Sequence, residues 1–299
     1  MNTTMIDILR ARAEQIRDEG VRLLSGFSGT RPINTPCDSV VFLSGLGTQW
    51  WNDLPPEGKQ IQARLLPEID RFAELIRALT RNLPGSSSQK LDTALNHMRS
   101  AVEQDQPTWW KTGPESVEGF RKLTDQVITI LEGYHGTSSS VVVAIADTSA
   151  LLASPDIEQW QFEDADHFTI ILTPTVLADL DRHKVNHRNP DVRDKASKLI
   201  QKIKEYRRRG PLREGVSVVK GRVSLRSVAP EPNMSESLSW FDATNGDDRF
   251  LATALEVIRG DLGARVFVVT SDINMQNKAE MAGIPFREVP AQGCGQGSP

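Results

Sequence analysis

Apolar residues recur at three- and four-residue spacing through most of the first 133 residues of the chain. This spacing places them on one face of a helix, so it predicts amphipathic helices that are joined by loops. The run Ser39 to Leu43 is apolar but short, and it fits either a strand or a buried helical turn. Helices are predicted over Thr4 to about Leu24, Ile61 to Leu79, Ser86 to Val102 and about Glu115 to Leu131.

The pattern changes at Val141, where uncharged runs rich in β-branched residues begin to alternate with helical segments. Such runs are typical of buried parallel strands. The alternation of strand and helix predicts an α/β fold, a three-layer domain with a parallel sheet and helices on both faces. Strands are predicted up to Ala146, over Phe168 to Thr173, over Val266 to Thr270 and near Pro285 to Val289, with an edge strand or hairpin over Gly215 to Arg226. Helices are predicted from Thr175, over Asp191 to Arg209, over Arg249 to Arg259 and up to Met281, and Leu151 to Phe162 fits a short helix or a loop.

Two of the predicted strands are followed by hydroxyl residues and an aspartate. Asp147-Thr148-Ser149 follows the first strand, and Thr270-Ser271-Asp272 ends the strand that begins near Ala264. The carboxyl ends of parallel strands meet at one edge of a sheet, where α/β proteins bind their ligands. The two strands are therefore expected to build one shared site.

The composition is that of a soluble globular protein, with 38% hydrophobic and 25% charged residues. No apolar run approaches the roughly 18 residues that span a bilayer, so no membrane contact is expected. Asp7 and Arg10 interrupt the apolar core that a signal peptide requires. Cys37 and Cys294 are far apart and lack metal-ligand spacing, which predicts a reducing cytoplasm without a disulfide framework or a zinc site.

The length of 299 residues exceeds the usual range of about 100–200 residues per domain, so two domains are expected. We assign residues 1–135 to a mainly α-helical N-terminal domain and residues 141–292 to the α/β domain. Gly136 to Ser140 has the composition of a linker, and residues 293–299 are expected to be a disordered tail.

Four segments of the second half form a characteristic series along the chain: Asp147-Thr148-Ser149, Pro174 to Lys184, Asn245 to Ala254 and Val268 to Asn274. In this order and secondary-structure context, residues 141–292 resemble the PIN-domain nucleases, particularly the larger branch found in ribosome-associated and RNA-quality-control proteins. The resemblance implies a metal-dependent endoribonuclease that hydrolyses the phosphodiester bonds of single-stranded RNA.

The resemblance also implies the site residues. The hydroxyls of Thr148, Ser149, Thr270 and Ser271 would orient the metal-binding acids, and Asn274 would add a contact behind them. The family usually has glutamate at the position of Asp179, so this carboxylate is one methylene shorter and can reach its metal through water. The catalytic, metal-binding acids would be Asp147, Asp179, Asp248 and Asp272, with Asp247 able to assist or replace its neighbour.

This chemistry agrees with the residue types present. Two divalent ions about 3.5–4 Å apart can neutralise the phosphoryl oxygens, activate water and stabilise the leaving oxygen, without a covalent nucleophile. Carboxylates without His or Cys favour Mg²⁺ or Mn²⁺. The alternative interpretation is structural, since aspartates are common at helix starts and Asp247 alone fits a helix cap as well as a ligand.

The net charge of −4 does not suggest a polyanion-binding protein, but the charge is unevenly distributed. Residues 182–213 contain twelve Lys or Arg and three Asp or Glu. This segment is either a solvated face or a path for the RNA backbone, because phosphate contacts supply most nonspecific affinity. The candidate RNA-binding residues are Arg182, Lys184, Arg188, Lys195, Lys198 and, near the third acid, Arg249.

Three other functions are weighed against the ribonuclease. A PIN fold can recruit RNA or protein without cutting it, and a toxin of a toxin–antitoxin pair is normally little more than the PIN domain. A DNA flap nuclease would need a helix-hairpin-helix region after the last acid, and the 27 residues after Asp272 leave no room for one. The helical half is expected to regulate the nuclease, to form a homo-oligomer or to bind a protein partner.

Overall fold

The computed structural model describes residues 3–33, 49–135 and 139–290, in which the chain divides into two compact units. One unit comprises Ile6–Gly136, and the other comprises Thr137–Pro299 together with Met1–Met5. Within the described ranges, none of the helices is both long enough and apolar enough to cross a membrane. The predictions for Ser39 to Leu43, for Cys37 and Cys294, for the start of the linker and for the tail concern residues outside the described ranges.

The first unit contains the helices that its periodicity predicts. The second of them begins with Pro56. Proline is tolerated there because N–H groups in the first helical turn have no carbonyl partner within the helix. The third begins at Gly85, one residue before its predicted start, with Pro84 at the cap position. The helices are α1 (Met5–Gly26), α2 (Pro56–Leu79), α3 (Gly85–Glu103) and α4 (Gly113–His135).

Large apolar side chains from the predicted helical faces form the core of this unit, among them Phe72, Leu95 and Phe120. Close packing between α1 and α4 depends on Gly20, because a Cβ atom there would lie 2.2 Å from the ring of Phe120. Two short strands, β1 (Thr30–Pro32) and β2 (Gln49–Trp51), pair in antiparallel fashion beside these helices.

A cavity of about 390 Å³ in the first unit is lined by Trp51, Trp109 and Trp110 together with His97. Trp51 is buried and meets Trp110 edge-on, with ring centroids 6.2 Å apart. Trp109 and the neighbouring Trp50 are exposed. We call this space the tryptophan cavity.

The second unit is built on a sheet of six strands in the order β5-β6-β4-β3-β7-β8. All pairings are parallel except that of β5 with β6, which form the predicted hairpin. Every residue of the central strand β3 is buried, as its uncharged sequence predicts. The strands are β3 (Val142–Ala146), β4 (Phe168–Leu172), β5 (Val216–Val219), β6 (Val223–Ser227), β7 (Arg265–Val269) and β8 (Phe286–Arg287).

Helices follow the strands, so the predicted α/β fold with a mostly parallel sheet after a helical region is confirmed. The Asn245 side chain accepts a hydrogen bond from the backbone N–H of Asp247 and caps α8. Asp247 and Asp248 therefore lie in the first turn, the helix begins three residues before its predicted start at Arg249, and Asp247 is not its cap. The helices are α5 (Thr148–Ala153), α6 (Pro174–Asn186), α7 (Pro190–Arg209), α8 (Gly246–Gly260) and α9 (Ile273–Ala282).

The register between β3 and β7 aligns the two polar strand ends. Ala146 is paired with Val269, and the backbone N–H of Asp147 donates to the carbonyl of Val269 over 3.0 Å. Asp147 and Thr270 therefore leave the sheet side by side, at its carboxyl edge.

Candidate active site

Asp147 is a buried carboxylate at this edge, with 5% of its surface exposed. It caps α5 by accepting from the backbone N–H of Ala150 over 2.7 Å. The hydroxyls of Ser149 and Thr270 donate to it over 2.9 and 2.5 Å. Burial raises the pKa of Asp147, these hydrogen bonds offset part of that effect, and the charge of Asp272 raises the pKa further. The side chain is held in one position by three donors.

Hydroxyl groups connect the ends of β3 and β7. Ser149 Oγ accepts from the backbone N–H of Ser271 over 3.0 Å, and Thr270 Oγ1 accepts from the backbone N–H of Asp272 over 3.0 Å. Asp272 caps α9 by accepting from the backbone N–H of Asn274 over 2.8 Å. Ser149 and Thr270 thus donate their hydroxyls to Asp147, whereas Ser271 donates its backbone N–H to Ser149 and Asn274 donates its backbone N–H to Asp272.

Helix α6 brings a third carboxylate to the site. Thr148 Oγ1 donates to Asp179 Oδ2 over 3.4 Å, and Arg182 Nη2 forms an ion pair with Asp179 Oδ1 at 2.6 Å. His183, one turn further along α6, lines the same cavity as Asp179. Burial lowers the pKa of its imidazole. Asp181 is exposed and does not line that space.

The adjacent aspartates at the start of α8 lie in different surroundings. Asp248 is 5% exposed, and its carboxylate accepts from Lys278 Nζ over 2.8 Å and from the backbone N–H of Asp242 over 3.0 Å. Asp247 is more exposed, lies 3.5 Å from the same Lys278 Nζ, and faces the space that Asp147 and Asp179 also face. Asp247, and not Asp248, is therefore the acid of this helix that is open to a ligand.

A cavity of about 260 Å³ joins these groups at the carboxyl edge of the sheet, and we call it the carboxylate cleft. Four aspartates contribute to it: two follow the ends of strands, one lies in the first turn of α8 and one lies in the second turn of α6. Its lining comprises Asp147, Thr148, Ser149, Leu152, Thr175, Val176, Asp179, His183, Gly246, Asp247, Phe250, Asp272 and Met275.

The donor set of the cleft fits hard divalent ions, because its carboxylate and hydroxyl oxygens are the ligands that Mg²⁺ and Mn²⁺ prefer. The four carboxylates surround the cavity at some distance from one another. Within the described parts of the chain, no three His, Cys, Asp or Glu side chains converge closely enough to enclose one ion. Direct ligation would therefore require the side chains to close on the ion, or water to complete its coordination.

Two of the predicted RNA-binding residues lie at the rim of the cleft. Arg182 pairs with Asp179, and Lys195 Nζ donates over 3.1 Å to the carbonyl of Leu152, a lining residue. Lys184 is exposed on α6, Arg188 is exposed on the turn between α6 and α7, and Lys198 is exposed on α7. Arg249 lies beside Asp248 in the sequence, and its guanidinium is 3.9 Å from Glu231.

Sequence reasoning missed two side chains at this site. His183 was detectable, because its spacing of four residues from Asp179 places both on one face of α6. Lys278 gave no local signal, because it is thirty residues from Asp248 and meets that carboxylate only through the packing of α9 against α8.

A family model described as PIN domain matches residues 144–289. The match includes the last three residues of β3, all of β7 and every residue that lines the carboxylate cleft. No curated protein is a significant match to the chain. PIN domains are generally nucleases, and those nucleases generally use divalent metals. Residues 144–289 of this chain therefore belong to the PIN-domain family.

Proposed function

We propose that the PIN domain is a metal-dependent endoribonuclease that hydrolyses the phosphodiester bonds of single-stranded RNA. The observation that carries this proposal is the carboxylate cleft, in which Asp147, Asp179, Asp247 and Asp272 face one cavity at the sheet edge. Asp179 pairs with Arg182 and Asp247 with Lys278, whereas Asp147 and Asp272 have no basic partner among the described residues. The charge of Asp272 raises the pKa of Asp147, so a purely structural role for these two carboxylates would be costly unless a cation binds there.

The four aspartates would have unequal roles. Asp147 is held by Ser149, Thr270 and the backbone of α5, so it would act as the fixed ligand. Asp272 and Asp247 lie in or before the first turn of their helices, where the N-terminal partial charge favours carboxylates. Asp248 was expected among the ligands, but its contacts with Lys278 and Asp242 support a role in holding α8.

Mg²⁺ or Mn²⁺, when bound, would neutralise charge on the phosphoryl oxygens and lower the pKa of water for attack. The protein would supply the ligands, exclude bulk water and orient the RNA. The cleft offers carboxylates, hydroxyls and one imidazole, and none of these groups needs to form a covalent bond to phosphorus.

The basic residues around α6 and α7 would guide the RNA backbone to the cleft. Arg182 and Lys195 are at its rim, and Lys184, Arg188 and Lys198 extend a positive surface away from it. Contacts of this kind bind phosphates without reading sequence, so they would allow many single-stranded substrates. For the helical unit we propose a regulatory or partner-binding role, supported by the exposed Trp109 of the tryptophan cavity.

The test is cleavage of an end-labelled single-stranded RNA by the full chain with Mn²⁺ or Mg²⁺, and with EDTA. We expect Asp147→Asn and Asp272→Asn each to lower the rate more than about 100-fold, since even groups that merely support metal ligands often contribute 10- to 100-fold. Asp181→Asn is the matched control, because Asp181 is an exposed aspartate of α6 outside the cleft.

Cleavage that persists in EDTA, or that is unchanged in Asp147→Asn, would contradict the proposal. A wild-type protein that binds the RNA without cutting it under any metal condition would favour the non-catalytic binding module.

A further inference from the structure

The carboxylate cleft has two sides with different charge balance. On the strand side, Asp147 and Asp272 are surrounded by hydroxyls and backbone N–H groups. Among the described residues, no Lys or Arg side chain contacts either of these two carboxylates. Their negative charge is therefore available to a cation from solution.

The helix side already holds a cation. Lys278 Nζ lies 2.8 Å from Asp248 Oδ1 and 3.5 Å from Asp247 Oδ2, so oxygens from two adjacent aspartates converge on one ammonium. Lys278 is not among the residues that line the cleft, and about a quarter of its side chain is exposed. It approaches the two carboxylates from α9.

We infer that Lys278 takes the place of a second divalent ion, so that the wild-type chain binds one Mn²⁺ or Mg²⁺ on the strand side of the cleft. This inference rests on the proposed function, and it departs from the expectation of two ions. An ammonium and a divalent ion cannot share one position between the same two oxygens, because their charges repel and their ligand contacts overlap.

Lys278 is a positioning residue in this arrangement. Its ammonium neutralises the start of α8 and keeps Asp248 turned away from the cleft, which leaves Asp247 as the acid of that helix that faces the strand side. Asp147 and Asp272 would hold the single ion, and water would complete its coordination.

The experiment counts bound Mn²⁺ per chain from the electron paramagnetic resonance signal of the free ion, with the full-length protein and without RNA. We expect one ion per chain for the wild type and two for Lys278→Met, because the oxygens of Asp247 and Asp248 then converge on an empty position. Lys122→Met is the matched control, since Lys122 pairs with one carboxylate, that of Glu118 at 3.4 Å, so its loss leaves no pair of carboxylates to hold an ion. It should bind one ion.

A double variant, Lys278→Met with Asp248→Asn, guards against misfolding, because it removes the buried charge together with its partner. We expect it to bind one ion and to keep the wild-type circular dichroism spectrum. A wild type that binds two ions and cleaves RNA would overturn the role of Lys278 while leaving the nuclease proposal intact. A wild type that binds none would overturn both, and a count of one for Lys278→Met that is folded would overturn the inference alone.

Discussion

The carboxylate cleft and the tryptophan cavity are spaces of comparable size, about 260 and 390 Å³, with opposite chemistry. The cleft is lined by four aspartates and a histidine. Among the residues that line the tryptophan cavity, His97 is the one ionisable side chain, and three indoles dominate the rest. The first space suits charged ligands and the second suits flat or apolar groups.

The difference follows from how each unit packs. A parallel sheet gathers the ends of strands that are distant in sequence, so Asp147 and Asp272 meet although 125 residues separate them. Helices pack through their apolar faces, so the space left between them is lined mainly by apolar and aromatic groups. Chemistry that needs several charged groups therefore belongs to the sheet edge.

The largest expected effect is a difference in RNA cleavage rate between a variant of the carboxylate cleft and a variant of the tryptophan cavity. Asp247→Asn should lower the RNA cleavage rate more than about 10-fold, because it removes a carboxylate that faces the substrate, on the scale of supporting metal contacts. Trp109→Ala should leave the rate within about threefold, because the ring of Trp109 is exposed and lines the tryptophan cavity of the other unit. Substitutions of exposed side chains away from a site usually have small effects. Initial rates with saturating Mn²⁺ measure both. Equal losses in the two variants would break the comparison.

An effect of intermediate size is a difference in stability between variants of the adjacent residues Asp247 and Asp248 in α8. Asp248→Asn should lower the free energy of unfolding by about 1–3 kcal/mol, because Lys278 loses its charged partner in a mostly buried setting. Asp247→Asn should change it by less than about 0.5 kcal/mol, because that side chain is 43% exposed and lies 3.5 Å from Lys278. Guanidinium denaturation of both variants tests this pair. A larger loss for Asp247→Asn would reverse the assignment of structural and ligand-facing acids.

The smallest expected effect is a pH dependence in the PIN domain, away from its cleft. Hydrogen bonds from Arg287 lower the pKa of Asp164 from 3.8 to about 2. A lowered pKa means that the carboxylate stabilises the fold above its unfolded pKa and that this contribution is lost as the pH falls toward the folded value. The stability difference between wild type and Asp164→Asn should be constant near neutral pH and should narrow between about pH 4 and pH 2. A difference that stays constant down to pH 2 would contradict the ion pair.

Local patterns were sufficient for most of the secondary structure. The three- and four-residue spacing of Ile69, Phe72, Ala73 and Ile76 predicted α2, because a helix with one buried face leaves that spacing in its sequence. The uncharged run before Asp147 predicted β3, because a strand buried on both faces excludes charge. Helix starts were less predictable. Asn245 rather than Asp247 caps α8, since several polar residues in a row all qualify as caps.

For the candidate site too, some residues could be predicted from the sequence and others could not. The strand-end aspartates were visible in the sequence because they follow buried runs directly, and Asp179 was identified through the resemblance to PIN domains. The division of labour between Asp247 and Asp248 was not visible, because adjacent residues of a first helical turn point in directions that only the packed neighbours distinguish.

The sequence by itself determined that the second half of this chain is an α/β domain with acids at the carboxyl edge of its sheet, because periodicity and strand endings are local properties. Only the tertiary structure decided that Lys278 pairs with Asp248, that His183 enters the cleft and that Asp247 faces the other three acids. These contacts join α6, α8 and α9 across long sequence separations, and their geometry depends on how whole helices pack, which no short pattern encodes.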